Sequence, residues 1–549
     1  MFKLSSRQTH KGSCEARAAL NAGVGQGQQK QGLDCEAGPL DLCGDHDELY
    51  DLPNLANVFV NFVERLPGLR VFALLAIVAI AVRWKTFGNP VLEFDEQFYL
   101  LVGDRMLHGA LPFVDIFDRK PIGLFLIYAG VRLLGGEGVI QYQIVALIFV
   151  IFTAALLHRF AMRITSRFGA LAAALGYILW LNITEGEGGQ TPVFYNLLMI
   201  GAAMITATIA TERSNRPILA GSAAMLLVGL SLQIKYTVAI EGIFFGLTML
   251  WAARCRGESR IALTGMAALY VVIALLPTIA VATTYAWLGH WQAFAFANFQ
   301  SQFGRLPVPL PIRMLGLLAM IGILLPLLAS VRRVEADRDT ATGRFVIGWL
   351  LSALASLLIF GSFMSTHYDL PVLLPAILAA SPFFGRTGTG RKVALTVLVL
   401  VAIAGQAALA VNEWAKGGRR EATIVARAAK PVRGCIYVYD GYPSLYQMTG
   451  SCLPTRYAFP GHLNTIDEGS ASSLGADPAT ELNRILSNKP EVIVDDWPIF
   501  QLYNPVTRTI INRALKRDYH LVLKLRTGSD RFRLVYRRND TGSISTGRM

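Results

Sequence analysis

Apolar runs of about 17–25 residues recur along this chain from Leu66 to Val411, each long enough to cross the hydrocarbon core of a bilayer as a helix. No water is available there to satisfy peptide groups, so such runs must close their hydrogen bonds internally as helices. Composition agrees with this reading. Hydrophobic residues make up 53% of the 549 residues and charged residues only 16%, against roughly 25% charged in an ordinary soluble domain. The runs fall near 66–84, 138–158, 168–183, 192–211, 217–233, 236–253, 261–287, 314–331, 345–363, 370–385 and 392–412. They predict a polytopic α-helical membrane protein of about 11 spans.

Basic residues orient the bundle, because cytoplasmic loops accumulate Lys and Arg. With the N-terminus in the cytoplasm, the inner loops carry Arg159, Arg163, Arg167, Arg213, Arg216, Arg254, Arg256, Arg260, Arg332, Arg333, Arg338, Arg344, Arg386, Arg391 and Lys392. The short outer loops carry only Lys235, Arg305 and Arg313. The apolar segment "IGLFLIYAGVRLL" (122–134) is too short to span, and a crossing there would invert every later loop. It is therefore expected to lie along the outer interface. The net charge of +13 follows the gaps between spans, which argues for topology and against nucleic-acid binding. The expected setting is a bacterial inner membrane, with the first outer loop (85–137) and the C-terminus on the periplasmic side.

Three regions follow from the pattern. Residues 1–64, polar and acidic, are expected to form a disordered cytoplasmic tail. Residues 65–413 form the transmembrane region. Residues 418–549 turn polar, and "CIYVYD", "EVIVDD", "YHLVLKL" and "RFRLVYRR" read as strands. "DPATELNRILSNK" reads as a helix with Asp477 as N-cap and Pro478 at its first position. This predicts a periplasmic α/β domain, and no GxGxxG or Walker loop points to a nucleotide. The six cysteines form no CxxC or zinc pattern. In an oxidising compartment Cys435 and Cys452 are expected to pair; the alternative is two free thiols.

The chemistry concentrates in "EFDEQFYLLVGDRMLHGALPFVDIFDRKP" (93–121), an acid-rich stretch between spans. An enzyme facing outward has no sugar nucleotide to draw on, whereas a sugar carried on a polyprenyl phosphate is reachable from the bilayer. Transfer then needs a base for the acceptor hydroxyl and cations for the departing phosphate. Asp95 and Glu96 offer the first, Lys120 the second. Asp95 also suits the N-cap of a helix running to His108 and ending at Gly109, with Tyr99 one turn further on. Asp118 lines the same cleft. A second acidic loop, "NITEGEGGQTP" (182–192), places Glu185 and Glu187 on the same side, for acceptor, divalent cation or solvent alone. Glu241, inside a span, has no role that its sequence neighbours assign.

"FDEQFY" followed by "LPFVDIFDRKPIG" resembles the first outer loop of the membrane-embedded GT-C glycosyltransferases, and is most similar to the protein O-mannosyltransferase and aminoarabinose transferase families (glycosyltransferase families 39 and 83). "LQIKYTVAI" (232–240) resembles the later lysine segment of those families, and "STHYDLPVLLPAILA" (365–379) their late histidine or arginine–tyrosine segment. "KPIG" departs from the commoner Lys-Pro-Pro. The resemblance covers about residues 66–412. It implies an inverting transfer of a hexose or pentose from a polyprenyl-phosphate donor to lipid A or its core, a polysaccharide or a protein, within a membrane of surrounding lipids. It further implies Asp95 as base with Glu96 in support, Lys120, Lys235, His367 and Tyr368 about the donor phosphate, and Tyr99, Asp118, Glu185 and Glu187 about the substrate. No cofactor is assigned; a divalent cation on Asp95, Glu96 and Glu187 is compatible with the residues, and no His cluster supports a tight zinc site.

Two other readings compete. A transporter or flippase of a lipid-linked glycan should place broken helices and polar groups at mid-membrane. A periplasmic glycan ligase should rely on outer arginines, for which Arg305 and Arg313 are the main offers.

Overall fold

A computed structural model describes residues 68–332, 338–361, 363 and 365–539. The expected N-terminal tail, with Cys14, Cys35 and Cys43, lies outside the described residues.

Helix α1 (Gly68–Arg83) enters the bundle and hands over to two short helices, α2 (Phe94–Leu107) and α3 (Ile122–Arg132). The chain then winds back and forth through α4 (Val139–Ala161), α5 (Arg167–Trp180), α6 (Thr191–Ala210), α7 (Pro217–Leu232), α8 (Ala239–Cys255), α9 (Arg260–Trp287), α10 (Leu310–Leu328), α11 (Thr340–Phe360), α12 (Leu370–Phe384) and α13 (Thr389–Lys416). Among the described residues, seven of these segments are long and apolar enough to cross a membrane. The shorter α1, α5, α7 and α12 lie among them. Burial accounts for the short ones at the centre: α12 buries every residue except Pro371 and Phe383, and α5 is enclosed almost as fully. The long α9 buries only Met266, Tyr270, Ala274 and Tyr285 and presents its other faces outward.

Alternation separates the loops into two ends. At one end Arg213 pairs with Asp339 (3.1 Å), Arg338 donates to the Thr165 carbonyl and Ser166 to the Gly385 carbonyl. The loops after α1, α5, α7, α9 and α11 meet at the other end, the site end. The segment expected along the interface forms α3, an 11-residue helix of only about 16 Å. It packs flat on α2, where a Cβ at Gly103 would lie 2.6 Å from the Ala129 backbone nitrogen. Only glycine permits that approach.

Helix bounds follow the apolar runs closely, and the departures have causes that hydropathy does not register. α11 starts at Thr340 rather than near 345 because the Asp339 side chain caps the Thr342 amide at 2.9 Å. α10 starts at Leu310 because Pro309 and Pro311 preset the first turn. Glu241, buried in the first turn of α8, accepts a hydrogen bond from the Trp349 indole of α11, so it is part of helix packing.

The C-terminal α/β region contains α14 (Arg419–Ala429), β1 (Ile436–Val438), α15 (Pro478–Ser487), β2 (Val492–Trp497), α16 (Pro505–Asp518), β3 (Tyr519–Thr527) and β4 (Arg531–Arg538). The four strands form one sheet in the order β1-β2-β4-β3, with β1 parallel to β2 and the other pairs antiparallel. Asp477 caps α15 through the Thr480 amide at 2.8 Å. Cys435 and Cys452 are disulfide-bonded, their Cα atoms 5.2 Å apart.

This region sits on the site end. Arg533 donates to the Lys416 carbonyl at 2.6 Å, and the Tyr442 hydroxyl donates to the same oxygen. Arg105 of α2 reaches the Ser451 carbonyl, and the Phe117 amide reaches the Arg456 carbonyl at 2.9 Å. The sheet region thus fixes both the last long helix and the loop that carries Asp95 and Lys120.

Candidate active site

Asp95 lies in the first turn of α2. The N-cap position belongs to Glu93, whose extended backbone (φ −130°, ψ 145°) carries no side-chain cap. The expectation that Asp95 caps this helix is corrected accordingly. Its Oδ2 instead accepts the Tyr99 hydroxyl at 3.0 Å and lies 3.8 Å from Lys120 Nζ. The helix does close as read, with His108 at the C-cap and Gly109 at φ 91°.

Lys120 Nζ also lies 5.6 Å from the Tyr99 ring centroid. Asp118 accepts the backbone amides of Arg119 and Lys120, which folds the "DRK" turn and sets its charge beside Lys120. Burial opposes charge on Asp95, yet Lys120, His367 and the Tyr99 hydrogen bond outweigh it and hold the carboxyl below its usual value. Burial likewise opposes charge on Lys120, and Asp95 and Asp118 reverse this and raise its pKa. Asp118 itself is raised by burial. The cleft therefore holds an ionised carboxylate and a firm ammonium side by side.

A second cation faces them. Lys235, between α7 and α8, sits 4.7 Å above the Tyr368 ring, and burial with repulsion from Lys120 pushes it down to about 7. His367 stacks on Tyr368 with centroids 4.7 Å apart and planes 25° apart. Its Nδ1 lies 3.1 Å from Glu185 Oε2, and the same carboxylate takes hydrogen bonds from Ser365 and Thr366. Burial opposes charge on Glu185, but its bond and attraction to His367, with Ser365, bring it down to about 2. Glu185 braces the 365–368 turn.

Glu96 points the other way. It is fully buried, its Oε2 accepts the Tyr142 hydroxyl at 3.1 Å, and it lies so close to Gly188 that a Cβ there would meet Oε2 at 2.1 Å. Burial and the nearby Glu187 and Glu93 raise its pKa well above the carboxylate range. Glu187 is buried too, pushed up to about 7 by burial, with Oε2 unpartnered. Arg83, at the end of α1, donates to the Gly186 carbonyl at 2.7 Å and holds this loop. Asp95, Glu96 and Glu187 therefore do not converge as the cation option required. Among the described residues no group of three or more His, Cys, Asp or Glu side chains is arranged to hold a metal.

Two features escaped sequence reasoning. Lys416, the last residue of α13, pairs with Glu93 at 2.7 Å. Glu468, in the C-terminal region, reaches Arg119 at 2.7 Å and Arg305 at 2.6 Å. Both join residues more than 160 positions apart, and no local motif marks them.

The arrangement is a multi-span helical bundle whose acid and cations gather at one end, under an α/β region, and this fold has a solved counterpart. In particular, the chain is similar in fold to ArnT from Cupriavidus metallidurans bound to undecaprenyl phosphate, with TM-score 0.54 and 13% identity over 84% of this chain and 97% of that one. The apo state of the same protein gives TM-score 0.52 and 14% identity over the same shares. No family model and no curated protein sequence matches the chain.

Proposed function

We propose that this chain is a membrane glycosyltransferase that moves a sugar from a polyprenyl-phosphate donor to an acceptor hydroxyl. One observation carries the reading: the Asp95 carboxylate lies 3.8 Å from Lys120 Nζ, and Lys235, seated over the Tyr368 ring, is near enough for Lys120 to repel it and Asp95 to attract it. The likeness in fold to a protein solved with undecaprenyl phosphate supports it.

In this mechanism the acceptor hydroxyl attacks the anomeric carbon on the face opposite the phosphate. The new oxygen–carbon bond forms as the carbon–phosphate-oxygen bond breaks, with inversion, and Asp95 takes the hydroxyl proton. Lys120 and Lys235 offset the charge that grows on the departing phosphate. Tyr99 holds Asp95 in place. His367 and Glu185 hold Tyr368 under Lys235, and Glu96 supports α2 from beneath. One base suffices, in contrast to the two carboxylates of retaining hydrolysis.

The site end is read as periplasmic on the distribution of arginines, with residues 65–413 catalytic and 418–549 covering the cleft and reading the acceptor. A glycolipid or polysaccharide acceptor fits a site opening at the bilayer surface. Purified protein in nanodiscs, given polyprenyl-phosphate sugars with lipid A, polysaccharide and peptide acceptors, should release polyprenyl phosphate and glycosylate one class. Asp95→Asn should abolish this while keeping the folded state; near-normal turnover by Asp95→Asn rules out the base assignment.

A further inference from the structure

The loop that presents Lys120 is held from outside the helical bundle. Arg119 is 6% exposed and turns away from the cleft. Its Nη1 meets Glu468 Oε2 at 2.7 Å, and its Nη2 reaches the Glu468 and Ser473 carbonyls at 3.1 and 3.2 Å. The other oxygen of the same carboxylate, Oε1, meets Arg305 Nη2 at 2.6 Å, in the loop between α9 and α10. Asp467, one residue before, lies 3.5 Å from Arg305. One carboxylate therefore bridges two arginines from two different loops. Burial opposes charge on Glu468, but Arg305 and Arg119 outweigh it and hold the carboxyl below its usual range.

The same junction is packed as well as charged. The Phe117 ring lies 5.4 Å from the Arg119 guanidinium, and 5.4 and 5.2 Å from the rings of Tyr457 and His462. The Leu306 amide reaches the Asp467 carbonyl at 3.2 Å. Arg119 and Lys120 are consecutive, so fixing one guanidinium outside the cleft fixes the backbone from which the ammonium projects into it.

We infer that Glu468 is a positioning residue for the transfer reaction: by bridging Arg119 and Arg305 it aims Lys120 at the donor phosphate. This deepens the function proposed above and rests on it. Losing the carboxylate leaves two guanidinium groups, one of them buried, to repel each other across the junction. The 117–120 segment then shifts and Lys120 leaves its place beside Asp95.

The test is a double-mutant cycle on the full chain in nanodiscs, with undecaprenyl phosphate as the probe and its dissociation constant as the readout. Glu468→Gln should weaken binding at least fivefold in the wild-type background and have no further effect once Lys120→Ala is present. Asp467→Asn, which touches Arg305 but not Arg119, should change it less than twofold. An equal loss in both backgrounds would show a merely structural role and overturn the inference, as would no loss at all. If Glu468→Gln does not fold, Glu468→Asp keeps the charge one methylene short of bridging both arginines, and the same cycle applies. Failure of the underlying function is read separately: Lys120→Ala would then bind undecaprenyl phosphate as tightly as wild type.

Discussion

Asp95 and Glu96 are adjacent in sequence and opposite in surroundings, so their isosteric amide variants should behave oppositely. Asp95→Asn removes the proposed base, and a positioned base contributes about 10²–10⁴-fold, which is about 3–5 kcal/mol of barrier. Its stability cost is small. The Asp95–Lys120 pair is 3.8 Å long and about a quarter exposed on each side, which places the pair at ~1 kcal/mol or below. Burial and the nearby Glu187 and Glu93 push the Glu96 pKa up, toward the uncharged form. Glu96→Gln keeps an acceptor of nearly the same shape, the Tyr142 hydroxyl keeps a partner, and the cost stays under about 1 kcal/mol. Glu96→Ala strands that hydroxyl and should cost about 1–3 kcal/mol. Thermal unfolding in nanodiscs and single-turnover transfer on the same preparations give both quantities. The reasoning fails if Glu96→Gln is as inactive as Asp95→Asn, or if Asp95→Asn keeps more than about a tenth of wild-type turnover.

Lys235, pushed down to about 7, carries its proton below that pH and loses it above. Undecaprenyl phosphate affinity should therefore fall as pH rises through 7, and titrations should show Lys235→Gln without this dependence; the same slope in the variant contradicts the assignment. Replacing Cys435 and Cys452 with serine opens a loop of 17 residues, which the chain-entropy model values at about 3 kcal/mol. Scanning calorimetry should detect the lower transition, and an unchanged one argues against the pair as a stabilising link. Trp349→Phe leaves Glu241 without its indole donor among the helices and should destabilise the bundle by about 1–3 kcal/mol. Adding Glu241→Leu should recover part of that loss in the same unfolding assay, and no recovery would show that the carboxylate is not the cause.

Much of the architecture could be read from the chain because its causes are local. Length and apolarity specify a span, and the β-branched run "EVIVDD" becomes β2 (Val492–Trp497) as its pattern requires. The site was legible only in part. Asp95, Lys120, Lys235 and Tyr368 were named together through resemblance, and the structure brings all four to one end of the bundle. The N-cap reading of Asp95 failed because the helix begins one residue earlier, at Phe94, which puts Asp95 inside the first turn and Glu93 at the cap. The resemblance puts Glu96 in support of Asp95, yet a neighbour along a helix is turned by about 100°. The Glu468 bridge was invisible, since a lone acid in a polar segment carries no sign of the two arginines it will meet.

The most direct test of the central claim is mass spectrometry of the lipids that stay bound to detergent-purified wild-type protein and Asp95→Asn. The account predicts a polyprenyl-phosphate sugar enriched on Asp95→Asn, held by the cations and left unreacted for want of a base. Bulk phospholipid alone on both proteins, even after incubation with a pool of polyprenyl-phosphate sugars, would contradict it.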